Sequence, residues 1–269
     1  MEKGDDQKTQ VHGGGQLKFE PPTLKELRSS KNIDHLFWVT GVIFILSYAL
    51  VPFIGYGELI ASSVGITSFL ICIISFSLIF KIHDIKTDEG KMWILFILGM
   101  VMILASRIAD VRGDTFSYFI IRLTAYPLLL GGIILKVHMS GINLESNEKG
   151  LLSITFLGWW LLVIITAIAP IFERGFDYTI DMFAIFAIMM MFGIMMASII
   201  ILSVGVKGWY YFSVGVTLLG IGEVLHVPAY QYDMLYPGTP VTLFWYMGFL
   251  FTGYGAYHLR REYLKLIAM

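Results

Sequence analysis

Charge is what this chain has least of. Only 14% of its 269 residues are Asp, Glu, Lys or Arg, while 57% are hydrophobic. Soluble domains carry roughly 25% charged residues, so the deficit points to a membrane protein. Cysteine occurs once, at Cys72. That excludes an intrachain disulfide and Cys-type metal clusters. Acids and bases nearly cancel, leaving a net charge of −1, and no basic stripe with interleaved aromatics occurs. Nucleic acid is therefore not an expected partner. There is no N-x-[ST] sequon and no Walker, H-E-x-x-H or G-x-S-x-G pattern. With no nucleophile beside a base, the expectation is a protein that is not an enzyme. No Lys lies in mid-span, which argues against a retinal Schiff base.

What is present is a series of apolar runs. A membrane-spanning helix needs about 20 mostly apolar residues. Residues 36–54, 59–80, 151–172, 182–206 and 241–257 carry no charge. Residues 92–106 and 208–222 are clean until Arg107 and Glu223, and reach spanning length if they continue to Asp110 and Val227. Residues 115–137 are interrupted by Arg122, with Lys136 at their end. These runs predict an all-α, polytopic bundle of eight transmembrane helices. The polar first 34 residues rule out a cleavable signal peptide at that end. Within them, Thr23-Leu-Lys-Glu26 has capping-box spacing and predicts a short helix over about 24–30.

Basic residues orient the bundle, because Lys and Arg concentrate in cytoplasmic loops. With the N-terminus inside, fifteen Lys and Arg fall on the inner side and only Arg112 and Arg174 in outer loops. Both termini are then cytoplasmic in a multi-pass cell-membrane protein, whose lipids are its first partners.

The chain also resembles itself. Gly99 and Gly215 are 116 residues apart, as are Asp110 and His226; Pro52 and Pro170 are 118 apart, and Gly131 and Gly253 are 122 apart. This predicts a parallel repeat of four plus four helices about an axis along the membrane normal. The organisation is then a polar cytoplasmic tail over 1–34, repeats over 35–140 and 150–259, and a basic cytoplasmic stub over 260–269. Chance similarity between apolar segments is the competing reading.

The polar residues inside the spans are the candidate site. Arg107 and Glu223 each lie about 15 residues into their helices, or roughly 22 Å at 1.5 Å per residue. Ionisable groups in a span cost about 2.5–3.5 kcal/mol on insertion scales and usually face an interior or a cavity. An outward-opening pocket between the repeats would pair Arg107 with Glu223 and offer Asp110, Arg122 and His226 to a ligand. Tyr230 and Trp245, at the same end, would supply a stacking wall. A structural salt bridge with snorkelling neighbours and an interfacial aromatic belt are the alternatives. Eight acids against four Arg in the outer half mildly favour a cationic ligand.

Other groups carry less. His35, His83, His138 and His258 sit at inner helix ends among basic neighbours and are read as solvated. Bis-His haem would need ligands facing each other inside the bundle, so no metal or cofactor is expected. The run Met189, Met190, Met191, Met195 and Met196 points to several faces of a helix and is read as adaptable packing.

The stretch Tyr236-Pro-Gly-Thr-Pro-Val-Thr-Leu-Phe-Trp-Tyr-Met-Gly-Phe-Leu-Phe-Thr-Gly-Tyr-Gly-Ala-Tyr257 resembles the eight-helix input modules found at the N-terminus of archaeal and bacterial histidine kinases and diguanylate cyclases. The resemblance is specific over 215–257, fainter over 99–138, and departs at Val241 and Thr242, where an acidic residue often stands. It implies four-plus-four helices and an outward sensing face. With no output domain in this sequence, it implies a stand-alone sensory or small-ligand-binding module that needs a cytoplasmic signalling partner. A small-solute or ion transporter built from duplicated units is the alternative.

Overall fold

The structure is a computed structural model that describes residues 24–50, 53, 57–141, 146–164, 172, 175, 178–202, 206–231 and 239–267. Within some helices the side chains lie outside the description, those of Glu58, Asp110, Asp181 and Tyr230 among them. The described residues form eight helices and no strand: α1 (Leu24–Leu50), α2 (Gly57–Phe80), α3 (Asp88–Val111), α4 (Thr115–Ser140), α5 (Ser146–Val163), α6 (Tyr178–Leu202), α7 (Lys207–Gln231) and α8 (Pro240–Ile267). Three of them hold stretches long and apolar enough to cross a membrane: Leu59–Phe80, Asp88–Ala109 and Phe116–Ser140. Shorter apolar helical stretches cover Asp34–Leu50 and Ile185–Ile201.

Local signals explain several boundaries. Between α3 and α4, Gly113 adopts a φ of 74°, a left-handed conformation that costs glycine nothing. Asp114 then caps α4, its side chain accepting from the Ser117 N–H at 3.0 Å. Hydrogen bonds from Ser117 hold the exposed Asp114 carboxyl below its usual range, which keeps it ionised and accepting. At the other end α4 stops at Gly141 (φ 55°). Pro127 lies inside α4, which is assigned as one continuous helix. The expected short helix over 24–30 is not separate: α1 runs from Leu24 into the apolar stretch without a break.

The closest packing is between α7 and α8. Gly208, Gly215 and Gly222 recur every seventh residue on α7, facing Gly248 and Gly255 on α8. A Cβ on Gly215 would lie 2.4 Å from the Thr252 nitrogen and 2.7 Å from the Gly248 oxygen. One on Gly255 would lie 2.4 Å from the Phe212 nitrogen and 2.7 Å from the Gly208 oxygen. The two backbones touch, and the contacts run in opposite sequence directions, so the helices are antiparallel. A seven-residue repeat suits a left-handed crossing near +20°, and small residues allow this approach where lipid removes the usual hydrophobic drive. The α3–α4 hairpin is the second close pair: a Cβ on Gly99 would meet Leu129 at 2.7 Å, and one on Gly132 would meet Phe96 at 2.8 Å.

Around these hairpins, α2 packs on α3 and α8, and α6 packs on α4 and α7. Helices α1 and α5 are peripheral, resting mainly on α2 and α8 and on α6 respectively. At the centre α3 meets α7 through aromatics. Trp93 stacks on Trp209 (centroids 6.0 Å, planes 17°), and Phe96 lies 5.1 Å from Phe212. The partners in each of these two contacts are 116 residues apart.

Gly255→Ala is expected to destabilise the bundle by about 1–3 kcal/mol, the usual cost of overpacking, read as a lowered unfolding midpoint in mixed detergent. Gly158→Ala, where a Cβ meets nothing within 4 Å, should be neutral or stabilising, because alanine favours a helix over glycine.

Candidate functional site

Helices α3, α4, α7 and α8 bring the polar residues of the spans together in one place. Arg122 projects from α4 and is 1% exposed; Glu223 projects from α7 and is 5% exposed. Arg122 Nη2 donates to Glu223 Oε1 in a buried salt bridge. Tyr126, one turn beyond Arg122 on α4, donates its hydroxyl to Glu223 Oε2 at 2.7 Å. The same hydroxyl accepts from Arg122 Nε at 2.9 Å. Both carboxylate oxygens are thus engaged by one face of α4. An ion pair in an apolar interior holds only when hydrogen bonds satisfy the remaining lone pairs and protons; Tyr126 supplies them.

A second set of contacts surrounds this pair. Trp245, from α8, is 1% exposed. The Arg107 guanidinium lies 4.3 Å from its ring centroid and that of Arg122 lies 4.8 Å away. Such distances are within the range of cation–π attraction. The His226 ring is 4.8 Å from Trp245, and its Nε2 is 3.5 Å from the Tyr118 hydroxyl. The Arg122 guanidinium also lies 5.6 Å from the Tyr118 ring. At the N-terminal end of α8, Tyr48 of α1 donates to Thr242 Oγ1 at 2.8 Å and sits 6.1 Å from Tyr246.

Of the seven residues expected from the sequence, Arg107, Arg122, Glu223, His226 and Trp245 converge here. The side chains of Asp110 and Tyr230 lie outside the described residues. The pairing differs from expectation: Arg122 makes the salt bridge with Glu223, and Arg107 lies over Trp245 instead. Trp245 is also buried rather than in an interfacial belt. Sequence reasoning missed Tyr118 and Tyr126. The signal for them was available, because Tyr118, Arg122 and Tyr126 recur every four residues and so share one face of α4.

Comparison with known proteins gives no family. No protein-family model, curated protein or solved structure matches the chain.

The arrangement neutralises a buried carboxylate with a guanidinium and a phenol. Among the described residues no group of three His, Cys, Asp or Glu side chains is placed to hold a metal ion. Two donors are left over: Arg122 Nη1 and Trp245 Nε1 are buried with no hydrogen-bond partner among the described residues. A buried unmatched donor is rare enough in a folded protein to need a reason. A crevice of about 350 Å³ lies elsewhere, between α5 and α6, lined by Trp159, Trp160, Ile188 and Phe192 among others. It is apolar and separate from the charged cluster.

Glu223→Gln should cost about 3–5 kcal/mol, because it leaves Arg122 buried without its counter-charge. Tyr126→Phe should cost about 1.5–3 kcal/mol, the range for a hydrogen bond to a charged group. Unfolding midpoints in detergent for the two variants, which should both keep the helical spectrum, check this order.

Proposed function

We propose that the chain is a multi-pass membrane protein that binds a small molecule or ion near its outer face, at the meeting of two four-helix units, and acts as a sensory module. The observation that carries the reading is the buried cluster itself. Two arginines, a glutamate, a histidine and a tryptophan from four helices converge, and Arg122 retains a donor with no described partner. Groups this expensive to bury in a membrane span usually serve a site.

Several features support the duplicated architecture with eight spans and both ends in the cytoplasm. Helix neighbours come in matching sets: α2 on α8 with α6 on α4, and α2 on α3 with α6 on α7. The closely packed glycines of α3, α4, α7 and α8 fall in step at shifts of 116 and 123 residues, as Gly99 with Gly215 and Gly132 with Gly255. Trp93 on Trp209 and Phe96 on Phe212 are contacts between equivalent positions, as expected beside a two-fold axis. Under the same shifts, the Arg107–Trp245 contact is the counterpart of the Glu223–Arg122 pair. On this reading the cluster sits where the two units meet, which is where duplicated bundles bind ligands.

A transporter built from the same units would be expected to break helices near the middle of the membrane. The unbroken assignment of α4 across Pro127 favours a binding module over that reading. The resemblance of 215–257 to kinase and cyclase input modules adds a sensory direction and a cytoplasmic partner to the proposal.

The test is a thermal-shift screen of the protein in nanodiscs against amines, carboxylates and divalent cations. A ligand at about 100 times its Kd adds about 2.7 kcal/mol of stability, and the shift should vanish in His226→Ala, which leaves the Arg122–Glu223 pair in place. The same compound should not accumulate in proteoliposomes; uptake abolished by His226→Ala would replace the sensor with a transporter.

A further inference from the structure

Helix α1 joins the bundle through one small apolar cluster, in which Phe37, Phe44 and Tyr48 meet Ala61, Val64, Leu250 and Tyr254. Its inward residues Phe37, Phe44 and Tyr48 are buried, but Leu36, Val39, Val42 and Leu46 are more than half exposed. Lipid tails are as apolar as leucine, so apolar contact between helices drives little association in a bilayer. Polar contacts then decide whether α1 stays on the bundle, and among the described residues they occur at Asp34 and at Tyr48. At the inner end, Asp34 accepts from Arg261 Nη1 at 3.0 Å and from the Tyr254 hydroxyl at 3.2 Å, with His258 Nε2 at 3.6 Å. At the outer end, Tyr48 donates to Thr242 Oγ1 at 2.8 Å. All four partners lie on α8. Between them Phe37 stacks on Tyr254 at 3.7 Å.

We propose that α1 is a releasable strap, clipped to α8 at both ends, and that the two clips are coupled along the helix. Thr242 lies three residues before Trp245, so the outer clip adjoins the charged cluster. Asp34 lies near the opposite end of the same helix pair, where α1 continues to Leu24. A change at the cluster that pulls Thr242 from Tyr48 weakens the hold on α1, and the Asp34 clip then opens more often. This extends the sensory reading above by giving its site an output element, the inner end of α1.

The test is pulsed spin-label distance measurement in nanodiscs without added ligand, so that it is independent of whether a ligand is ever found. Labels go on Leu36→Cys and Leu266→Cys, both strongly exposed, in a Cys72→Ser background. The unaltered strap should give one narrow distance. Asp34→Asn, and separately Arg261→Gln, should each add a second, longer component. Tyr48→Phe, at the far end, should add the same second component, because the hydroxyl that bonds Thr242 is lost. An unchanged distance in both inner-clip variants would overturn the latch. A second component in those variants but none in Tyr48→Phe would overturn the coupling. Failure of the ligand screen with these results intact would leave the strap standing and remove only its site.

Discussion

The salt bridge between Arg122 and Glu223 is the constraint on which the rest depends. It joins α4 to α7 through two residues 101 apart in the chain, and it does so in an apolar interior. Neither charge is tolerable there alone. The pair forces Tyr126 to lie within reach of both partners, and it forces the walls around it to exclude competing waters. Trp245, Tyr118 and His226 are those walls. Their positions follow from the need to surround two buried charges with polarisable or hydrogen-bonding groups rather than with aliphatic ones.

The frame that holds the pair works by close backbone approach. Glycines spaced by seven let α7 and α8 touch, which brings Trp245 against Gly222, whose added Cβ would lie 2.5 Å from the indole. A bulkier residue at 222 would push Trp245 away and open the cluster. The Trp93, Phe96, Trp209 and Phe212 group fixes α3 against α7 at the other end of the same helices. The aromatic contact at one end and the polar cluster at the other thus share one pair of helices.

Much of this was legible in the sequence, and the parts that were not have physical reasons. Hydropathy located the helices, because each apolar run must satisfy its own backbone. The rarity of charge made Arg107, Arg122, Glu223 and His226 stand out. Their partners were misassigned because a repeat alignment says which residues occupy equivalent positions, not which face each other. Arg107 and Glu223 are equivalent in that sense, yet the side chain that reaches Glu223 comes from α4. The start of the first helix was also misread. The polar-to-apolar boundary near Asp34 looked like a break, but with no Pro and only Gly41 between residues 24 and 50 nothing there stops a helix. Tyr126 was passed over because tyrosine in a span looks like an interfacial anchor until its four-residue spacing from Arg122 is counted.

The most direct measurement of the central claim is a double-mutant cycle on Arg122→Met and Glu223→Met, with unfolding free energies taken in a bilayer or mixed detergent. A buried, mutually compensating pair predicts that the double variant is much less destabilised than the two singles combined, with a coupling above about 1 kcal/mol. Effects that add within about 0.5 kcal/mol would mean the two side chains do not depend on each other, and would contradict the account.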